Sequence, residues 1–286
     1  MTQPSDLATL MAGVQPEYPY NFQRSFASLA VGGGGIMLNS SWYSSSKLGP
    51  STAPTIGLNG EAVVNSLGTQ IQGKYPRNDN PSGVNAYITE IRTRSGLVSD
   101  QFRITGGIFI IDRLWHNSGI DVTSTSVQTL SSPAAHAARD RNGAANGADV
   151  WVGIQASTAW VGAASPTISI SYTNQDGTSG RTASCVPHSS LAAGDIALFY
   201  LQSGDTGVRS IQSVQFSAAK TSGAASLVLF RMIAAYPIPM VGYVSREDYL
   251  TLAGPDITDA VLEICMMQNY NSSPSSSGVI ITESYV

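Results

Sequence analysis

The sequence predicts an all-β chain: an antiparallel β-sandwich, jelly-roll-like, preceded by an irregular N-terminal arm. Three observations carry that prediction. From Val84 onward, short runs rich in Val, Ile, Thr and Tyr alternate with turns rich in Gly, Asn, Asp and Ser, as in a sandwich or barrel. One stretch, 167–186, reads as a complete hairpin. Another, 226–235, reads as a strand covered on both faces.

The hairpin opens with TISISYT at Thr167, where Ile168, Ile170 and Tyr172 alternate with hydroxylated residues, so one face is apolar and the other solvated. Asp176-Gly177 and Gly180 then let the chain reverse, and RTASCV returns from Arg181. A second unit of this kind follows at Gly204–Gly207. After it, Val208, Ser210, Gln212, Val214 and Phe216 share one parity, while Arg209, Ile211, Ser213 and Gln215 share the other. That alternation is imperfect, but the β-branched content and the preceding turn favour a strand over a helix.

The run SLVLFRMIAA from Ser226 is almost continuously apolar and is closed by Pro237 and Pro239. A central strand has this pattern, and periodicity alone leaves a short buried helix open. Further strands are predicted at Ala86 to Thr93, Arg103 to Asp112, Asp149 to Ala156, Asp195 to Leu201 and Val279 to Thr282. Ser245 to Leu252 is predicted as a capped helical turn, because Asp248 follows Ser245 by three residues. Ser272 to Ser277 reads as a Ser/Pro linker.

The sequence therefore divides into an extended or irregular arm, 1–83, and a sandwich body, 84–286, with a short C-terminal helix and strand. The arm has room for a short helix at Leu7 to Met11. It then runs through Pro16, Pro19, the tetraglycine Gly32 to Gly35, and Ser/Pro-rich chain from Asn39 to Pro54. Yet Tyr18, Tyr20, Phe22, Phe26, Trp42 and Tyr43 supply aromatic surface that needs burial. Two arrangements meet that need: an arm laid on a neighbouring subunit, or a cap packed on its own domain.

Composition narrows the function. A chain of 286 residues can bury a sizeable core without a disulfide or metal. Charged residues are 12% of the chain, against about 25% in an average soluble protein. Lysine occurs only at Lys47, Lys74 and Lys220, and lysine is the cation most depleted from permanent interfaces. Assembly with other protein follows as the expectation. A net charge of −4 and the absence of any Lys/Arg cluster argue against a nucleic-acid groove. Arg92/Arg94 and Arg139/Arg141 each lie near an acid, Glu90 or Asp140.

The first residues place Asp6 before any apolar run and show no basic leader, so the chain is expected to stay in the cell that makes it. No stretch of about 18 apolar residues spans a bilayer. The sequons at Asn39 and Asn271 carry no weight without a secretion signal.

Each approach to a catalytic motif fails for a physical reason. The GTQIQGK run at Gly68 to Lys74 has phosphate-loop spacing, but Tyr75 stands where a hydroxyl must hold Mg²⁺. Met37 occupies the third glycine position of a dinucleotide loop at Gly32 to Gly35. His116, His136 and His188 are widely separated in sequence and form no zinc spacing. Cys185 and His188 are poorly placed as nucleophile and base. Cys185 and Cys265 read as independent buried thiols, with a disulfide between them the alternative.

Asp112-Arg113-Leu114-Trp115-His116 is the most distinctive cluster, read as an Asp–Arg pair and a Trp anchor closing a strand. Asp140, Asp149, Asp176, Asp195 and Asp205 read as loop carboxylates, with calcium binding by such loops left open. No catalytic residue, cofactor or metal is expected.

The runs FIIDRLWHNSGIDVT at Phe109, SYTNQDGTSGRTA at Ser171 and GDTGVRSIQSV at Gly204 resemble virion structural proteins of tailed bacteriophages. The resemblance spans roughly Thr89 to Tyr236 and rests on turn and strand residues. It implies a part of the head or tail, foremost a capsid decoration or cement protein located in the virion and assembled in the host cytoplasm. The implied partners are the major capsid protein or other virion proteins, with homo-oligomers, trimers above all. The arm departs from a minimal decoration domain, which keeps a tail, neck or fibre-attachment role as the alternative. A receptor- or glycan-binding module, with Trp151 or Trp160 exposed on one sandwich face, is the third reading. The candidate interface anchors are Tyr18, Tyr20, Phe22, Trp42 and Tyr43, because aromatics dominate well-packed interface centres.

Overall fold

A computed structural model describes residues 107–130, 136–187 and 189–237, and the strand segments 22–26, 38–43, 50–51, 61–62, 86–95, 244–248, 262–267 and 277–285. All regular structure among them is β. In chain order the strands are β1 (Phe22–Phe26), β2 (Leu38–Tyr43), β3 (Pro50–Ser51), β4 (Glu61–Ala62), β5 (Ala86–Ser95), β6 (Gly107–Ile120), β7 (Gln128–Thr129) and β8 (Val150–Val161). They continue with β9 (Ile168–Asn174), β10 (Arg181–Cys185), β11 (Asp195–Leu198), β12 (Val208–Phe216), β13 (Ser222–Pro237), β14 (Val244–Asp248), β15 (Leu262–Met267) and β16 (Ser277–Tyr285).

The pairings are antiparallel and form three sheets. The smallest core sheet runs β10-β9-β12-β7, and the largest runs β11-β8-β13-β6-β15-β2-β3, with β4 added on β6. Because β11 also pairs β2 through Asp195↔Asn39 and Ile196↔Leu38, six strands of the large sheet close into a ring. The third sheet runs β1-β16-β5-β14. Segments β1, β2 and β4 of the first 83 residues thus hydrogen-bond to strands β16, β15 and β6 of the later chain.

The sandwich forms where the small sheet covers one face of the large one. Ile168, Ile170, Tyr172, Ala183, Cys185, Val208, Ile211, Val214 and Phe216 meet Leu114, Trp115, Val150, Val152, Ile154, Leu227 and Leu229 in one core. Trp160 and Phe216 meet edge to face, centroids 5.9 Å apart, a favoured aromatic geometry. The opposite face of the large sheet holds a second cluster, Ile111, Ile196, Val228 and Phe230. Strand β13 therefore sends Leu227 and Leu229 to one cluster and Val228 and Phe230 to the other, so the first half of the apolar run, Ser226 to Phe230, is a central strand buried on both sides, while Arg231 to Ala235 is more open.

The 167–186 hairpin forms as expected, with β9 and β10 in register from Arg181↔Tyr172 to Cys185↔Ile168. Gly177 and Gly180 take positive φ, 81° and 72°, the conformation only glycine adopts cheaply. The imperfect parity of β12 is resolved by two register shifts, between Val208 and Ser210 and between Ile211 and Ser213. These bulges turn Val208, Ile211, Val214 and Phe216 all into the core.

Four expectations are corrected. Residues 244–248 form β14, paired with Arg94 to Glu90 of β5, where a capped helical turn was predicted; a helical segment that short is marginal alone, and a long-range partner strand decides its state. Residues 249–252 of that turn lie outside the described residues. Strand β6 continues past Asp112 to Ile120, because a bulge at Leu114 lets Leu114 and Trp115 both enter the core. The Gly204–Gly207 turn leads not into a hairpin with β11 but across to the small sheet, where β12 pairs β9. The Asp112–His116 segment does not close a strand: it lies in mid-β6, with Asp112 opposite Arg231 and Arg113 opposite Phe230 of β13.

Candidate functional site

The distinctive Asp112–His116 segment lies in mid-strand, so its polar groups are buried by the neighbouring strands. Asp112 is fully buried and accepts two hydrogen bonds from Arg139, at 3.0 and 2.9 Å, with Arg231 at 3.4 Å. Arg139 also donates to the Arg113 carbonyl at 3.1 Å. This bidentate geometry is the strong form of an Arg–carboxylate contact, and it joins β6 and β13 to the 136–149 loop.

Arg113 opposes Phe230 in register and His116 opposes Val228, which places both on the second face of the large sheet. The Arg113 guanidinium donates to Nδ1 of His116, and at 2.7 Å to Oε1 of Gln155 across β13. A donor at Nδ1 fixes that nitrogen as acceptor and leaves the ring proton on Nε2. Burial, with the guanidinium beside it, pushes the His116 pKa well below its ordinary value. His116 is thus a neutral structural imidazole.

Asp140 is a loop carboxylate, as the sequence suggested, but it is fully buried and serves as the hub of its loop. Its oxygens accept backbone N–H groups from Asn142 (2.9 Å), Ala144 (2.8 Å), Asn146 (3.0 Å), Gly147 (3.0 Å) and Ala148 (3.2 Å). Burial works to raise its pKa, and the N–H groups outweigh it, so the carboxyl lies below its ordinary value. A carboxylate ringed by donors has no lone pairs turned to a cation. Among the described residues no group of three His, Cys, Asp or Glu could hold a metal ion.

Asp205 organises the far end of the hairpin. It accepts Arg181 Nε and Nη2 at 2.9 and 3.0 Å, Asn174 Nδ2 at 2.8 Å, and the Tyr172 hydroxyl. Tyr172 in turn accepts the Gln202 N–H at 3.0 Å. The Arg181 hydrogen bonds, helped by Tyr172 and Asn174, hold the Asp205 carboxyl down to about 2. Lys220 is nearly buried, and its ammonium donates to the carbonyls of Gly162 (2.9 Å), Ala164 and Ser189. Neither hub was foreseen; in sequence, Asp205 reads only as a turn residue and Lys220 as one of the rare lysines.

Of the predicted interface anchors, Tyr18 and Tyr20 lie outside the described residues. Phe22 opens β1 opposite Glu283, and Trp42 and Tyr43 end β2 opposite Ser51 and Pro50. The two tryptophans proposed for a glycan platform part company: Trp160 is buried and donates to the Ala224 carbonyl at 3.2 Å, whereas Trp151 is half-exposed. Cys185 is a free, buried thiol, not paired with Cys265, and burial pushes its pKa up to about 12, which disfavours the thiolate. His188 lies outside the described residues.

Among the described residues Val127, Trp151, Val161, Val186 and Tyr200 are the exposed large apolar side chains, with Tyr200 and Val186 the most open at 79% and 65%. Tyr200 bridges Ser184 on the edge strand β10, and Val186 follows two residues along the same side of the chain.

No protein-family model matches the sequence, and no curated protein matches it. Among solved structures, the chain is similar to that of the infectious bursal disease virus Gx strain, at 10% identity and a TM-score of 0.19 over 93% of this chain and 81% of that one. It is similar to the VP2 subviral particle of the same virus at 10% identity and 0.20, over 93% and 81%. T=1 particles derived from that virus give 11% identity and 0.20, over 93% and 78%. Scores of this size carry neither the fold nor the role of those proteins to this chain.

Proposed function

We propose that the chain is a structural subunit of a virus particle, a head decoration or cement protein of a phage capsid that binds the shell by protein–protein contact. The observation that carries this reading is how the molecule uses its ionic groups. Asp112, Asp140, Asp205 and Lys220 are each engaged by the chain's own backbone and side chains, tying strands and loops into a stiff framework. Tyr200 and Val186 are turned outward. The sparse surface charge and the resemblance of three sequence runs to phage virion proteins support the same reading.

In this reading subunits, as trimers, occupy symmetry-related points of the shell and tie adjacent capsomers together. Each contact is modest, and multivalent attachment makes the sum large. Tyr18, Tyr20, Phe22, Trp42 and Tyr43 are the proposed anchors. A tail, neck or fibre-attachment subunit uses the same adhesion with fewer copies. The glycan-binding alternative is weakened by the burial of Trp160.

The test is add-back. Purified chain is mixed with particles assembled without it and sedimented. Saturable co-sedimentation with a rise in particle heat resistance supports the proposal. A chain that stays in the supernatant contradicts it.

A further inference from the structure

Two Asn-Gly pairs lie in the loop that wraps Asp140, Asn142-Gly143 and Asn146-Gly147. This dipeptide is the one most prone to intramolecular deamidation, because a glycine nitrogen is unhindered enough to reach the preceding side-chain amide. The loop treats the two pairs oppositely. Asn142 and Gly143 are both exposed, and a Cβ built on Gly143 meets nothing within 4 Å. The Gly143 N–H donates only to the Asp140 carbonyl at 2.9 Å, closing a surface turn.

Gly147, by contrast, is buried. Its N–H is held at 3.0 Å by the Asp140 carboxylate, a charge-assisted bond stronger than a turn bond. A Cβ there would lie 2.6 Å from the backbones of Val208 and Arg209. The Gly147 peptide has no room to swing toward the Asn146 amide.

We infer that Asn142 is a site of spontaneous modification in the folded protein, while Asn146, four residues away with the same dipeptide, is protected. The Gly143 backbone nitrogen loses its proton and bonds to Cγ of Asn142. The Cγ–Nδ2 bond breaks and ammonia leaves. Water then opens the resulting succinimide at either carbonyl, giving aspartate or isoaspartate at position 142. The product puts a new carboxylate beside buried Asp140, and the isoaspartate form lengthens the loop backbone by a methylene. Both changes oppose the ring of N–H groups that Asp140 gathers, so modified molecules have a looser 140–149 loop.

The test is peptide mapping by mass spectrometry of the full chain, incubated at mildly alkaline pH, folded and in denaturant. The expected result is conversion at Asn142 at least about tenfold faster than at Asn146 in the folded chain, with the two rates converging in denaturant. Equal rates in the folded chain, or Asn142 as slow as Asn146, would overturn the assignment. The Asn142→Gln variant should fold normally and lose the deamidated products that map to the 140–149 loop. If deamidated products still map to that loop at an undiminished rate, the assignment to Asn142 is overturned.

Discussion

The backbone of Gly207 lies directly against that of Gly147: a Cβ placed on Gly207 would stand 2.0 Å from the Gly147 carbonyl oxygen and 2.9 Å from the Val150 nitrogen. Two loops distant in sequence are locked together by the absence of two side chains. Both obstacles are backbone, so neither can yield by a rotamer change. Gly207→Ala is therefore expected to cost about 3 kcal/mol or more of stability, the upper range for overpacking. Gly143→Ala in the same loop meets open space and bears only the strain of φ +71°, about 1–2 kcal/mol. Urea denaturation of the two variants checks the order, and a milder effect at Gly207 would contradict the interlock.

Asp205 predicts an acid limb. Its carboxyl titrates near 2 in the fold and near 3.9 when unfolded. A depressed pKa gives stability that is complete above the unfolded value and is lost as pH falls from about 4 toward 2. Asp205→Asn should flatten that limb, and at pH 7 should cost about 1–3 kcal/mol from lost charged hydrogen bonds. Stability curves of the two proteins between pH 2 and 7 would show the difference.

His116 acts on a higher window. The folded state keeps the imidazole neutral through burial and the Arg113 guanidinium, whereas the unfolded chain takes up a proton near pH 6.5. The unfolded state thus binds more protons below that pH, and stability must fall as pH drops through it. Replacing His116 by Gln should remove on the order of 1 kcal/mol from the difference in stability between pH 7.5 and 5.5. An unchanged difference would show that His116 does not contribute. His136, also lowered by burial, supplies the same sign and should remain in the variant.

Tyr200 and Val186 test the outward face. Both are largely exposed, so Tyr200→Ser and Val186→Ser should change stability by no more than about 0.5 kcal/mol. If this edge of β10 meets the shell, the double variant should be incorporated into particles several-fold less well. Normal incorporation would remove these residues from the contact.

Much of the fold was legible in the sequence because its signals were local. TISISYT and its glycine turn specify β9 and β10 without reference to anything else, and the length of the apolar run at Ser226 marks β13 as central. What was not legible depends on long-range pairing. The Val208 parity makes sense only once two bulges realign β12 on β9, and β6 runs past Asp112 only because a bulge admits Leu114. Nothing in LEICMM at Leu262 announces a strand that joins β2 to β6. The polar hubs show the same division: Asp205 and Asp140 were recognisable as turn and loop residues, but their partners, Tyr172, Arg181 and the N–H groups of 142–148, are set by the fold. The Asp112 cluster was recognisable as structural, but Arg139 and Arg231, which engage Asp112, come from a distant loop and strand and are set by the fold.

The central claim is that the molecule works by adhering, in many copies, to a viral shell. The most direct test is to count this chain against the main shell protein in purified particles by quantitative mass spectrometry. A fixed ratio of one subunit or more per capsomer is the predicted result. Particles that are complete and infectious yet contain none of it would contradict the account.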